Sequence, residues 1–318
     1  MIYLAIFVLL LICIISYFRI ADYYNIIDKP NHRSSHANVT IRGGGIIFYL
    51  AALIYFFWSE FQYPYFFFGL TLMALISFLD DIFTLSNKLR ITIHLISVLL
   101  LLYQIELFGL SWLMLPLAII AIIGVINAYN FMDGINGITA MYSFAVLLLL
   151  WLVNRETAYV DERLLYCTAI GNLVFTFFNF RQKAKCFAGD VGSVSMAFIL
   201  IFLLALLILS SGNLIYLLFL VVYGVDTVWT IVRRLYKKEN VFEAHRSHLY
   251  QYLANEAKIN KLGVSFTYGL IQLLIGLIVI YIAKYELLMQ ILFSLVCLLI
   301  LSVIYLTIKH NLIKKYNL

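Results

Sequence analysis

The sequence predicts an all-α protein, a polytopic integral membrane bundle of about eleven transmembrane helices with its N-terminus outside and its C-terminus cytoplasmic. Three observations predict it. Of 318 residues, 64% are hydrophobic and 12% charged, about half the charge of an average soluble domain. The apolar residues fall in runs of about 16–22, the length a helix needs to cross a bilayer. With the spans laid in alternation, all but three of the 22 Lys and Arg fall on one side, the bias that marks the cytoplasmic face.

The elements follow in order. Residues 1–18 form the first span; the first basic residue, Arg19, comes after them. Without a basic leading region this reads as a helix with its N-terminus outside and not as a cleaved signal. Spans are then expected at 44–59, 65–79, 91–106, 113–130, 138–153, 163–179, 191–210, 213–232, 263–283 and 287–308. Gly and Asn punctuate many of the joins. Only Arg155, Arg163 and Lys284 fall on the outer side. The whole chain, 1–318, reads as one membrane domain, since no stretch is long and polar enough for another. The spread of the basic residues among short loops also argues against nucleic acid and for membrane lipid or phosphate as the partner.

The chemistry-bearing text lies on the basic side, in 19–43, 80–90, 127–137, 180–193 and 233–262. Charge at a bilayer boundary is costly unless it is used. Asp80-Asp81 closes the third span. Adjacent carboxylates repel, and a cation or a proton relieves them; one of the two is suited to hold Mg²⁺ or to act as a base. The alternative, a solvated helix end, runs against the helix dipole, which disfavours acids at C-termini. Lys88 and Arg90 follow, as phosphate contacts or as anchors of the next helix. His94, one turn further, reads as a packing residue.

Asn127 and Asn130 share one helical face, and amide oxygens suit hard metals. The following Asp133-Gly-Ile-Asn136-Gly offers amides to a nucleobase, or is simply a turn. Lys185-Cys-Phe187-Ala-Gly-Asp190-Val-Gly-Ser193 leads into the eighth span. A glycine-rich approach to a helix N-terminus suits phosphate; an N-cap role for Asp190 is the alternative. His245-Arg246-Ser-His248 lacks a third zinc ligand nearby. It reads as a source of cationic donors, or with 249–262 as an interfacial helix. Asp226 inside the ninth span should face the interior, without a catalytic role. The cysteines (13, 167, 186, 297) show no metal spacing and read as small buried hydrophobes.

Five segments in order resemble the polyprenyl-phosphate N-acetylhexosamine-1-phosphate transferase superfamily. They are Pro30-Asn-x-Arg-Ser-Ser-His36 with Arg42-Gly-Gly-Gly45, Asp80-Asp81, Asn127 to Gly137, Phe187-x-Gly-Asp190-x-Gly-Ser193 and His245-Arg-x-His248. The resemblance implies transfer of a HexNAc-1-phosphate from a UDP-sugar to undecaprenyl phosphate with Mg²⁺, or Mn²⁺ in its place. Asp80, Asp81 and Asp190 would be catalytic, and Asp190 with Asn130 would hold the metal. Lys88, Asn136, Lys185, Phe187, His245, Arg246 and His248 would bind substrate. Val39 stands where many relatives have proline, Thr84 and the missing His-rich segment depart from the peptidoglycan branch, and the short His-Arg-Ser-His loop looks like the O-antigen initiators. The implied place is the bacterial inner membrane with the site facing the cytoplasm. A homodimer is left open, and the sugar is not legible. A transporter or flippase, the alternative class, would need polar groups at mid-membrane depth on several spans; here they gather at one boundary. A non-catalytic scaffold leaves three Asp-bearing motifs on one face unexplained.

Overall fold

A computed structural model describes residues 1–28, 39–83, 85–109, 114–240 and 245–317. The Pro30–His36 segment and Thr84 lie outside the described residues. Among those described, the chain forms twelve α-helices and one small antiparallel ribbon, in which Ile27 pairs with Ile41 and Asp28 with Thr40. A helix stands at each of the eleven expected spans. They are α1 (Ile2–Tyr23), α2 (Ile46–Trp58), α3 (Pro64–Phe83), α4 (Asn87–Gln104), α5 (Met114–Phe131), α6 (Ile138–Thr157), α7 (Glu162–Asn179), α8 (Gly189–Ser211), α9 (Val221–Tyr236), α11 (Lys261–Ile282) and α12 (Leu287–Tyr316), with the short α10 (Leu249–Gln251) between α9 and α11. Eight segments are long and apolar enough to cross a membrane. α2 is too short for that measure, and α4 and α7 carry more polar residues. The all-α membrane bundle is therefore borne out.

α8 is the axis of the molecule. Every residue from Val191 to Leu204 is buried, as expected of a helix that is apolar all round. Phe66 of α3 stacks on Phe202 at 3.9 Å between ring centres and runs parallel to Phe198. Lipid removes the hydrophobic drive for helix association, so dispersion and close backbone approach take its place. The tightest approach joins the start of α2 to the start of α8: a Cβ on Gly192 would lie 2.6 Å from Gly45 Cα. α12 and α5 lie at the rim, with Leu288, Leu295, Ile120 and Leu117 facing outward.

The ninth span is broken. A 3₁₀ stretch, Leu214–Leu220, precedes α9. A break inside a membrane leaves backbone groups without helical partners, and neighbouring side chains must supply them. Gln272 of α11 does so. Its Oε1 accepts from Val222 N at 3.1 Å and Tyr142 OH at 2.7 Å, and its Nε2 donates to Leu218 O at 2.9 Å.

Three boundaries differ from the sequence reading. α3 runs on to Phe83, so Asp80 and Asp81 lie in its last turn. α12 runs to Tyr316, which puts Lys309 inside the bundle at 3% exposure and not in a basic tail. Residues 249–262 do not form an interfacial helix; α10 passes into a π-helical turn, Tyr252–Glu256, before α11 begins. In each case polar side chains that look like terminators are bonded within the fold.

Candidate active site

Three elements meet where α8 begins. The ribbon delivers Arg42 and Gly43–Gly45, α3 delivers Asp80 and Asp81, and α8 delivers Asp190. The first N–H groups of a helix have no intrahelical partner. Asp81 supplies one from another helix: its carboxylate accepts from Asp190 N at 3.0 Å and Val191 N at 3.1 Å. Gly189 permits the approach. Its φ is +70°, and a Cβ there would lie 2.5 Å from Asp81 Oδ2, so a side chain is excluded by strain and by space. Phe187 N donates to Ile41 O and Gly44 N donates to Phe187 O, both at 2.8 Å, which sews the α8 approach to the Arg-Gly-Gly-Gly segment.

Two arginines knit the acids together. Arg42 Nε lies 2.7 Å from Asp81 Oδ1, and its Nη2 lies 3.5 Å from Asp190 Oδ1. Arg90 Nη1 lies 2.9 Å from Asp80 Oδ2, and its Nη2 lies 3.3 Å from Asp190 Oδ2. Asp80 also accepts from Leu85 N at 2.7 Å. Burial works against the Arg42 charge, and Asp81 and Asp190 more than offset it, so its pKa rises. Three carboxyl groups share two guanidinium groups. Asp190 is the least committed of the three, because both of its arginine contacts are long.

Asp190 opens onto a polar cleft of about 250 Å³ lined by Arg42, Asn130, Asp133, Asn136, Phe187 and Gln251, among others. Asn130 Nδ2 donates to Ser193 Oγ at 3.0 Å, which fixes the amide against α8; among the described residues no donor engages its carbonyl oxygen. Asp133 accepts from Thr139 Oγ1 at 2.6 Å. Burial, against that hydrogen bond and with the help of Asp190, pushes the Asp133 carboxyl up to about 6. Asn136 lines the wall and donates to Arg181 O at 2.7 Å and Gln182 O at 3.2 Å. Asn179 anchors the same wall: Gly137 N donates to its Oδ1 and its Nδ2 donates to Cys186 O.

Asp80, Asp81, Asp190, Asn130, Asn136 and Phe187 are thus brought to one place. Two expected substrate contacts are not. Lys88 is exposed and does not line the cleft, and Arg90, two residues on, pairs with Asp80 and Asp190 instead. Lys185 lines a separate hollow with Asp22, Thr40 and Lys183. Arg42 joins the gathered residues, from the Arg-Gly-Gly-Gly segment that the sequence singles out as able to hold phosphate or shape this face, whereas Asp133, Asn179 and Gln251 were missed as site residues. Asp133 stands inside a motif already singled out, so its motif membership was the available signal; nothing local marks Asn179 or Gln251.

The His-Arg-Ser-His loop packs beside the end of α5, with the His245 ring 6.0 Å from that of Phe131. Its donors are not a set of free cations. Burial first, then His248, Arg234 and Lys309, push His245 down to about 3, so it is neutral at neutral pH. Arg246 pairs with Glu256 at 2.8 Å. His248 is 1% exposed and its Nδ1 lies 3.1 Å from Asp226 Oδ1. Asp226 also accepts from Leu249 N, Tyr250 N and Tyr268 OH. It faces the interior as expected, and there it holds the whole loop.

The donor set around Asp190 fits a hard divalent cation: carboxylate oxygens, the free Asn130 carbonyl and a polar cleft. Among the described residues no three His, Cys, Asp or Glu gather as a cage. Mg²⁺ commonly takes one or two carboxylates and completes its shell with water and phosphate.

Residues 63–209 match the model of glycosyl transferase family 4. An undecaprenyl-phosphate alpha-N-acetylglucosaminyl 1-phosphate transferase of Haemophilus influenzae is 29% identical over 258 residues, covering 73% of this chain and 72% of the relative. A probable undecaprenyl-phosphate N-acetylglucosaminyl 1-phosphate transferase of Bacillus subtilis is 24% identical over 259 residues, covering 74% and 71%. The matched segment carries Asp80, Asp81, Asn130, Asp133, Asn136, Phe187 and Asp190. These likenesses bear out the superfamily that the order of the motifs pointed to.

Proposed function

We propose, from the premise that this chain is a member of the polyprenyl-phosphate N-acetylhexosamine-1-phosphate transferase superfamily, that it transfers a HexNAc-1-phosphate from a UDP-sugar to undecaprenyl phosphate. UMP is the other product. One observation carries the reading: Asp80, Asp81 and Asp190, from two separate helices, meet two arginines at the mouth of a polar cleft. In the reaction an oxygen of the lipid phosphate bonds to the sugar-linked β-phosphorus. The bond from that phosphorus to the bridging oxygen breaks, and UMP leaves with the electron pair. Several anionic oxygens crowd one point, so catalysis is chiefly positioning and charge stabilisation.

The residues divide that work. Asp190, with Asn130, would hold Mg²⁺, or Mn²⁺ in its place. The ion's contribution is to offset phosphate repulsion and the charge developing on UMP. Arg42 and Arg90 are placed to hold phosphate oxygens. Asp80 would engage the lipid phosphate, which arrives by lateral diffusion in the bilayer. Asp81 fixes the α8 N-terminus and orients Arg42. Phe187 and Asn136 form the wall suited to a uracil. The nineteen-to-three distribution of basic residues supports a cytoplasmic site in a bacterial inner membrane. The short His-Arg-Ser-His loop supports an O-antigen-type initiating role within lipopolysaccharide biosynthesis.

The test uses purified, folded protein with undecaprenyl phosphate, Mg²⁺ and a panel of labelled UDP-HexNAc donors. Lipid-linked sugar phosphate and UMP should appear in equal amounts for at least one donor. If no donor gives product, the reading is wrong.

A further inference from the structure

A second cationic site lies away from the cleft. At the end of the bundle that carries the His-Arg-Ser-His loop, α9 and α12 splay around a hollow of about 320 Å³. Its walls include Trp229, Val232, Leu306 and Ile313, and its charged lining is Arg233 and Lys309. Lys309 is 3% exposed. Its ammonium donates to Thr230 Oγ1 at 3.0 Å and to Tyr305 OH, both neutral. It also lies over the Tyr305 and Tyr252 rings, at 4.8 and 5.5 Å. Arg233 donates to Tyr252 OH at 3.0 Å. Among the described residues neither cation has a carboxylate within ion-pair distance. Asp226 is joined to Lys309 through Thr230, which donates to it at 3.3 Å, and it is already engaged by His248, Tyr268 and two backbone N–H groups.

A buried cation at a membrane boundary is costly without a counter-charge. Apolar side chains and the two cations line the hollow together. That pairing suits an anionic phospholipid: acyl chain against Trp229 and Leu306, phosphate against Arg233 and Lys309. A soluble anion would leave the apolar wall unused. A neutral lipid would leave the charge unmatched.

We propose that the α9–α12 hollow binds the headgroup of an anionic phospholipid. The same groups tie the hollow to the loop beside the cleft. Thr230 joins Lys309 to Asp226, which holds His248; Arg233 holds Tyr252 in the turn that follows. Occupancy therefore steadies the loop without touching the cleft. The proposal stands whether or not the transferase reading does.

Trp229 supplies the probe, since bromine on an acyl chain quenches indole fluorescence only in contact. The full-length protein is placed in vesicles of dibrominated phosphatidylglycerol or dibrominated phosphatidylcholine diluted in unlabelled phosphatidylcholine. The Trp229 signal is taken as the difference from Trp229→Phe. Phosphatidylglycerol should quench Trp229 at about thirtyfold lower mole fraction, the preference expected of two cations, each worth about fivefold, facing an anionic headgroup. Arg233→Gln, at a half-exposed position that spares the fold, should remove most of that preference, and Lys309→Gln should remove it where the protein still folds. Equal quenching by the two lipids, or full preference in Arg233→Gln, overturns the proposal. Displacement of brominated phosphatidylglycerol by trace polyprenyl phosphate would also overturn it, by giving the hollow to another lipid.

Discussion

Asp81 and Asp226 do the same backbone work at two helix starts and end with different roles. Each reaches from one helix to two N–H groups of another: Asp81 to Asp190 and Val191, Asp226 to Leu249 and Tyr250. Each adds one side-chain partner of opposite character, Arg42 for Asp81 and His248 for Asp226. The difference is in what stands beside them. Asp81, its own side chain fully buried, shares Arg42 with Asp190, and Asp190 lines the cleft and shares Arg90 with Asp80. Asp226 is walled by Tyr268, Thr230 and His248, at 2% exposure. A capping aspartate becomes part of a reactive centre when other carboxylates share its cations and solvent can reach them. Alone and sealed, it is an anchor.

Substitutions break or sharpen that contrast. The largest effect is expected at Asp190, which has no capping duty to another helix. Asp190→Asn should lower transferase turnover on the order of 10³-fold, as loss of a principal electrostatic group does, with the unfolding midpoint almost unchanged. A parallel fall in stability would mean that Asp190 is structural. Asp81→Ala strands Arg42 and two N–H groups, so it should cost about 3–5 kcal/mol of stability, read as the denaturation midpoint in detergent. Asp226→Asn keeps the shape but loses charge-assisted hydrogen bonds worth about 1.5–3 kcal/mol each. It should loosen the loop, seen as faster amide exchange over 245–256, with the exchange at the start of α8 unaltered. Gln272→Leu removes the partners of the broken ninth span and should cost about 1–3 kcal/mol. Lys88→Ala should change stability by less than about 0.5 kcal/mol and leave turnover near wild type, whereas Arg90→Ala should not. If Lys88 proves the more sensitive, the arginine cluster is misassigned.

Much of this was legible in the chain. Apolar run lengths placed the helices, because a bilayer sets the length directly. Asp80, Asp81, Asn130 and Asp190 were legible because acids and amides are costly at a membrane edge without a use. The assignment of Lys88 and Lys185 rested on charge and proximity along the chain, which do not report direction. On α4 the side chain two residues further, Arg90, pairs with Asp80 of α3 and Asp190 of α8, while Lys88 is exposed and does not line the cleft. Asn179 and Gln251 carry no local mark; they matter because distant segments bring the Gly137 N–H and the cleft to them.

By itself, then, the sequence determined the all-α membrane bundle, the gathering of the polar motifs at span ends and the residue types of the candidate site. These follow from one-dimensional quantities: run length, charge bias and the order of motifs. Only the tertiary structure decided which charges pair. Arg42 clasping Asp81, Arg90 bridging Asp80 and Asp190, Asp226 holding His248 and Lys309 buried without an acid partner all join positions distant in sequence. The physical reason is that a charge's role in a low-dielectric setting depends on its neighbours within a few ångströms, and those neighbours are set by helix packing.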